Sequence, residues 1–178
     1  MPDSASPLKS IVKGAMDFAH TQVLEGTMAD VDDELANRQP AGNANSIGSS
    51  YAHTVLSEDY IVNAMLRGGT PLSDGEWAGR TGTDKPQPWG SGEDLGEWYH
   101  SVRVDLAAAR QYAQAVYAKS AEFIDSLDDE GLMKEVDVFG MRMSVAMVIE
   151  AFVTGHASSL AGEISAIKGT FGRKGYPF

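Results

Sequence analysis

The four histidines are the residues of this chain best suited to chemistry, because it contains no cysteine to serve as nucleophile, thiolate ligand or disulfide. His156 sits inside "FVTGHASSLAGEI", Phe152 to Ile164. At about 100° per residue, Val145, Ile149, Phe152, Val153, Leu160, Ile164 and Ile167 share an arc of roughly 120° on one helix. His156 falls near the centre of that arc and is expected to point into the core. An uncharged imidazole there needs partners for both nitrogens. Glu163 lies on the same arc, where a buried carboxylate needs a partner or a metal. Its rise of about 10 Å along the axis from His156 makes a shared ion a strained arrangement.

The other candidates are weaker. His53 falls with Ser49, Leu56 and Tyr60, off the face made by Ile47, Tyr51, Val55, Val62 and Met65, so by pattern alone it is a polar helix residue. His20 lies at the edge of an apolar stripe and could reach inward, and His100 is expected to be exposed. Glu58 is expected to be a structural or hydrogen-bonding carboxylate. Trp77, Trp89 and Trp98 either line a pocket for a small apolar ligand or cap one end of the fold. No GxGxxG or P-loop opens a helix after a strand, and no nucleophile elbow is present. "GTPLSDG" and "GSGED" carry acidic residues that oppose an anion and read as turns.

Four long amphipathic segments must position these residues. They run over about Leu8–Ala36, from an N-cap at Ser46 to Leu66, Glu93–Leu127 and Ser144–Lys168. "NRQPAGNANS" breaks the first from the second. "DDEGLMKEVDVFGMRM" reads as a turn and a short extended piece. The expected fold is all-α, an antiparallel four-helix bundle forming one domain over residues 1–178. The connection from Arg67 to Gly92 is long for a compact domain, and it either crosses the end of the bundle or covers a site.

The net charge of -11 repels phosphate backbones and anionic lipid, so no nucleic acid and no membrane partner is expected. "MPDSASPLKS" does not read as a signal peptide, no uninterrupted apolar stretch approaches the ~20 residues of a spanning helix, and a cytoplasmic location is expected. A ridge of small residues, Ala151, Gly155, Ser158, Gly162, Ala166 and Gly169, implies close approach of another helix, from this chain or from the second subunit of a homodimer.

"ANSIGSSYAHTVLSEDYIV" together with "FVTGHASSLAGEISAIKG" and the closing "GYPF" resembles the DinB family of helical bundles. The likeness extends in segment order over nearly the whole chain, through "DDEL-NRQP" before a turn, "NSIG" opening a helix with a histidine, a long connection and a final helix. The resemblance implies a divalent metal site, zinc or nickel, made by one histidine of the second helix and a pair, three residues intervening, on the fourth. It places His53 at the first of these positions and His156 at the second. The third falls on Leu160, and the arginine that ordinarily comes next is replaced by Ala161. Two neutral imidazoles hold an ion weakly, whereas a catalytic zinc generally takes three protein ligands and an open position.

Two functions are expected on these grounds. One is a metal-poor ligand-binding or dimeric interaction protein, which Leu160 favours. The alternative is a divalent-metal-dependent enzyme, such as a low-molecular-weight-thiol S-transferase or a hydrolase, with an altered ligand set.

Overall fold

Ser6 opens the first helix by accepting a hydrogen bond from the Lys9 amide at 3.3 Å, with Pro7 in the first turn where its missing N–H costs nothing. The computed structural model describes residues 6–89 and 95–178, and the chain is mostly helical. Helix α1, residues 7–28, continues through a π-helical segment at Ala19–Leu24 and buries Val12, Met16, Leu24 and Met28. It stops short of the expected Ala36. Asp32 caps a new single turn, α2 at Asp33–Ala36, by accepting from the Leu35 amide at 2.8 Å.

Helix α3, residues 47–66, starts where expected, with Ser46 Oγ accepting from the Ser49 amide at 3.1 Å. Its last turns, Tyr60–Leu66, are π-helical. Tyr51, Val55, Leu56, Ile61 and Val62 are all buried, so α3 is packed on more than one side. That is why its sequence shows no single clean stripe.

The long connection is pinned at two places. The buried Asp59 carboxylate accepts from the Leu72 and Ser73 amides, both at 2.9 Å, from Tyr112 Oη at 2.6 Å and from Asn63 Nδ2 at 2.8 Å. Further on, Thr83 forms an antiparallel bridge with Val104, and the Gly82 carbonyl accepts from the Asp105 amide at 2.8 Å. Gly82 has φ +82°, and a Cβ there would lie 2.3 Å from the Ala109 nitrogen, so no other residue permits this approach.

The bridge breaks the third expected helix in two, α4 at Leu95–Ser101 and α5 at Leu106–Asp125. Its expected start at Glu93, like "GSGED", lies outside the described residues. At the break, the Asn37 amide group donates to the Val104 carbonyl at 2.8 Å and accepts from the Val104 amide at 2.9 Å. Asp105 then caps α5 through the Ala108 amide at 3.0 Å. Val102 and Val104 stay buried, so the apolar stripe runs through the interruption and conceals it.

The turn and short extended piece expected within the all-α fold form a small two-stranded sheet beside the helices. After α6, Asp129–Met133, the chain forms an antiparallel hairpin, β1 at Glu135–Val138 and β2 at Met141–Ser144, with Val136 opposite Met143 and Val138 opposite Met141. Both turn residues are left-handed, Phe139 with φ 54° and Gly140 with φ 75°, which matches the twist of a two-residue hairpin. Val138 is buried with Val12, Met16, Ile149 and Leu132.

Helix α7, Val145–Thr170, is long and apolar enough by length and composition to cross a membrane. Here Val148, Ile149, Val153, Ala157, Ala161 and Ile164 bury its apolar side within the fold. Among the described residues its ridge of small residues meets no other helix near Gly162; the hydroxyl of Tyr176, in the C-terminal tail, lies over that glycine. Pro177 packs on Gly26 of α1, and the buried Lys168 ammonium donates to the carbonyls of Thr27 at 2.7 Å and Gly175 at 3.2 Å and to Asp30.

Candidate functional site

α3 and α7 pack together, and they bring His53 and His156 face to edge, with ring centroids 5.2 Å apart and planes at 76°. Both side chains predicted from the sequence as site residues therefore meet. A π-helical segment, Glu150–Thr154, directly precedes Gly155 and His156. Such a segment inserts extra backbone into the helical turn and re-aims the side chains beyond it.

His53 is held from the long connection. Its Nδ1 lies 3.0 Å from Gln87 Oε1, which can only accept, so the proton sits on Nδ1 and Nε2 offers its lone pair. Ser57 Oγ, one turn along α3, reaches that Nε2 at 3.4 Å, and Tyr99 of α4 packs edge-on at 5.1 Å between centroids. His156 Nε2 is buried and has no hydrogen-bond partner among the described residues. An orphaned polar atom of this kind costs about 1–3 kcal/mol and calls for an explanation.

Burial pushes the His53 imidazole down to about 4, against a smaller raising effect of the Gln87 bond; the neighbouring His156 lowers it further. Burial also lowers His156, partly offset by the charge of Glu163. Both rings are neutral at pH 7, each with one N–H and one lone pair.

Beside the rings lies a cavity of about 210 Å³. Tyr60 and Trp89 stack on one another at its rim, with centroids 4.6 Å apart and planes at 14°. Phe139, at the hairpin tip, meets Phe152 edge-on at 5.7 Å. The connection thus brings Gln87 and Trp89 over the histidines. Of the three tryptophans, Trp89 lines this cavity, while Trp98 is buried and donates to the Lys85 carbonyl at 3.4 Å.

The donors do not fit a three-ligand metal centre. Leu160, one turn beyond His156, offers no lone pair, and among the described residues no three His, Asp or Glu side chains converge on one point. Glu163 is engaged elsewhere, its Oε1 accepting from Asn45 Nδ2 at 3.1 Å and Ser50 Oγ at 3.0 Å. His20 is buried against Glu58 with 2.7 Å between Nε2 and Oε2, and Ser120 Oγ donates to Glu58 Oε1 at 2.6 Å. His100 is exposed, as its pattern predicts. Gln87 and Phe139 are the site residues that sequence reasoning missed. Gln87 sits in an unpatterned Pro-rich stretch, whereas a phenylalanine before glycine in "VFGM" is a weak turn signal that could have been read.

A helical fold that turns histidines of its second and last long helices toward one pocket defines a class of histidine-site helical domains. The chain belongs to the DinB superfamily, whose profile matches residues 19–156. A conserved protein from Enterococcus faecalis has a similar solved structure, with a TM-score of 0.78 at 21% identity, covering 95% of this chain and 100% of that one. At that identity the likeness speaks for the fold alone. No curated protein matches the sequence.

Proposed function

We propose that this chain is a single-domain DinB-type protein, built on an antiparallel four-helix bundle, that binds a small organic molecule in the two-histidine pocket and does not run a three-ligand metal reaction. The observation that carries this reading is the buried, unpartnered His156 Nε2 facing the His53 ring beside an aromatic cavity, with leucine where a third donor would stand. A bound polar group would satisfy that nitrogen, and the aromatic walls would cover the apolar remainder. The acidic surface fits a cytoplasmic protein without nucleic-acid partners.

The Gln87 bond to His53 leaves Nε2 as the accepting nitrogen, with Ser57 Oγ at a long 3.4 Å, in the manner of a metal-ligating imidazole, which is the one feature favouring the metal-dependent alternative. Metal analysis of untagged protein, run beside Leu160→His, separates the two. Under the proposed reading the wild type carries well below one equivalent of zinc or nickel, and the variant gains an ion at the completed His53, His156 and residue-160 set. Near-stoichiometric metal in the wild type overturns it. A library of single-ring fragments, monitored through the imidazole Cε1–H resonances of His53 and His156, should contain members that move both signals.

A further inference from the structure

Phe139 is 61% exposed and holds φ at 54°, a conformation that glycine and asparagine take readily and that a bulky side chain takes only at a cost in free energy. Such outliers persist where the surroundings enforce them, and they cluster at ligand clamps. Here the left-handed turn brings the ring onto Phe152, and the two line the pocket together with the Tyr60–Trp89 stack. The cavity therefore has two aromatic walls, one from the hairpin and one from the long connection. It carries its polar groups on the helical side, in His53, His156 and Ser57.

Size, charge and hydrogen-bond polarity each narrow what fits. An apolar cavity of roughly 150 Å³ is known to take benzene, so about 210 Å³ accommodates one ring with one or two small substituents. Among the described residues no lysine or arginine lines the pocket, so a carboxylate or phosphate finds no fixed counter-charge. His53 Nε2 can only accept. A hydroxyl donates to that lone pair and still has a lone pair of its own, so it can accept from His156 if His156 Nε2 carries the proton. A thioether or a bare hydrocarbon leaves the nitrogen orphaned.

Resting on the small-molecule reading above, we infer that the pocket selects a single-ring aromatic alcohol or phenol, its hydroxyl bridging His53 and His156 and its ring held between Phe139 and the Trp89–Tyr60 pair. Phe139 is the specificity residue, contributing a wall rather than a polar contact.

The test uses the full chain and three probes of nearly one shape: p-cresol, toluene and benzoate. Binding is measured by titration of the His53 and His156 Cε1–H resonances and of tryptophan fluorescence. p-Cresol should saturate the site at least tenfold more tightly than toluene, with benzoate weaker still. Phe139→Gly, which suits the left-handed turn, should keep the native circular dichroism and weaken p-cresol at least fivefold. Equal affinity for toluene, tighter binding of benzoate, or an unchanged p-cresol affinity in Phe139→Gly overturns the assignment. If toluene or benzoate moves both histidine signals while p-cresol does not, the hydroxyl assignment falls and the pocket stands. If none of the three moves either signal, both fall.

Discussion

His53 donates through Nδ1 to Gln87 at 3.0 Å while His156, with its ring centroid 5.2 Å away, keeps a buried Nε2 with no partner among the described residues. One imidazole is fixed in tautomer and orientation by the connection. The other is left open to whatever enters the cavity. The asymmetry sets the expected pH behaviour.

The His53 imidazole is about 4 in the folded protein against 6.5 for the ordinary group, so between those values the unfolded chain binds the extra proton. The contribution to stability is whole above pH 6.5 and is lost as pH falls toward 4, up to about 3 kcal/mol across that window. His156 is lowered as well and adds in the same direction. Denaturant midpoints measured from pH 7.5 to pH 4.5 should fall steadily, and His53→Gln should flatten the curve. An NMR titration in which His53 takes up its proton near pH 6.5 contradicts the assignment.

Much of this arrangement could be read from residue pattern, and the remainder has identifiable causes. The Ser46 cap, the inward aim of His156 and the exposed His100 all come from helical spacing, because each depends on neighbours within two turns. The break between α4 and α5 did not show, since Leu95, Tyr99, Val102, Leu106 and Ala109 keep one stripe across it. What breaks the helix is distant in sequence: Asn37 takes both backbone groups of Val104, while Gly82 and Asp84, on either side of Thr83, bond the Asp105 amide and the Arg103 carbonyl. The π segments and Gln87 were silent for the same reason: long-range packing decides them and local propensity does not. The ridge on α7 reads from sequence as the seat of another helix, but among the described residues its glycines meet none: Gly169 has nothing within 4 Å of its Cβ position, Gly155 meets only the Glu150 carbonyl of its own helix, and Gly162 meets the tail through Tyr176. His53 is inward because the helix it sits on is buried on several sides, which a one-face amphipathic reading cannot register.

Asp59 anchors the connection that carries Gln87 and Trp89. Its two oxygens take four hydrogen bonds in a buried site, two of them from the Leu72 and Ser73 amides. Asp59→Ala strands all four donors and should cost about 3–5 kcal/mol in urea unfolding. Loosening of residues 72–89 should also raise amide exchange there and shift the emission of Trp77 and Trp89. A loss below about 1 kcal/mol with unchanged exchange contradicts this role.

Gly82 sets how closely the same connection approaches α5. An added methyl would sit 2.3 Å from the Ala109 nitrogen and 2.7 Å from its Cα, and these are backbone atoms that cannot rotate away. The φ of +82° compounds the strain. Gly82→Ala is expected to destabilise by at least about 3 kcal/mol, in the range of severe backbone-strain substitutions. Gly96→Ala is the matched control, since among the described residues nothing lies within 4 Å of its Cβ position. It should leave the melting temperature unchanged or slightly raised, as helix propensity favours alanine by up to ~1 kcal/mol.

The pairing of His20 with Glu58 yields the most discriminating measurement of the core. His20 is 2% exposed and stacks on Tyr117 at 3.9 Å, and Glu58, also 2% exposed, is held by His20 Nε2 and Ser120 Oγ. Removing either partner leaves the other buried without its bond, so His20→Phe and Glu58→Met should each cost about 3 kcal/mol or more. Replacing both at once leaves neither member of the pair stranded, with only the Ser120 hydroxyl losing its acceptor, and fills the space with apolar volume, which buried polar pairs often tolerate with little net loss. The double variant should therefore be markedly more stable than the sum of the single losses predicts, with a coupling energy of about 2 kcal/mol or more in a urea-denaturation cycle. The two-histidine pocket lies elsewhere on α3, facing α7 and the connection, so ligand-induced shifts at His53 and His156 should survive in the double variant. Additive losses would mean that the pair contributes no specific interaction, and that His20 owes its inward position to stacking on Tyr117 alone.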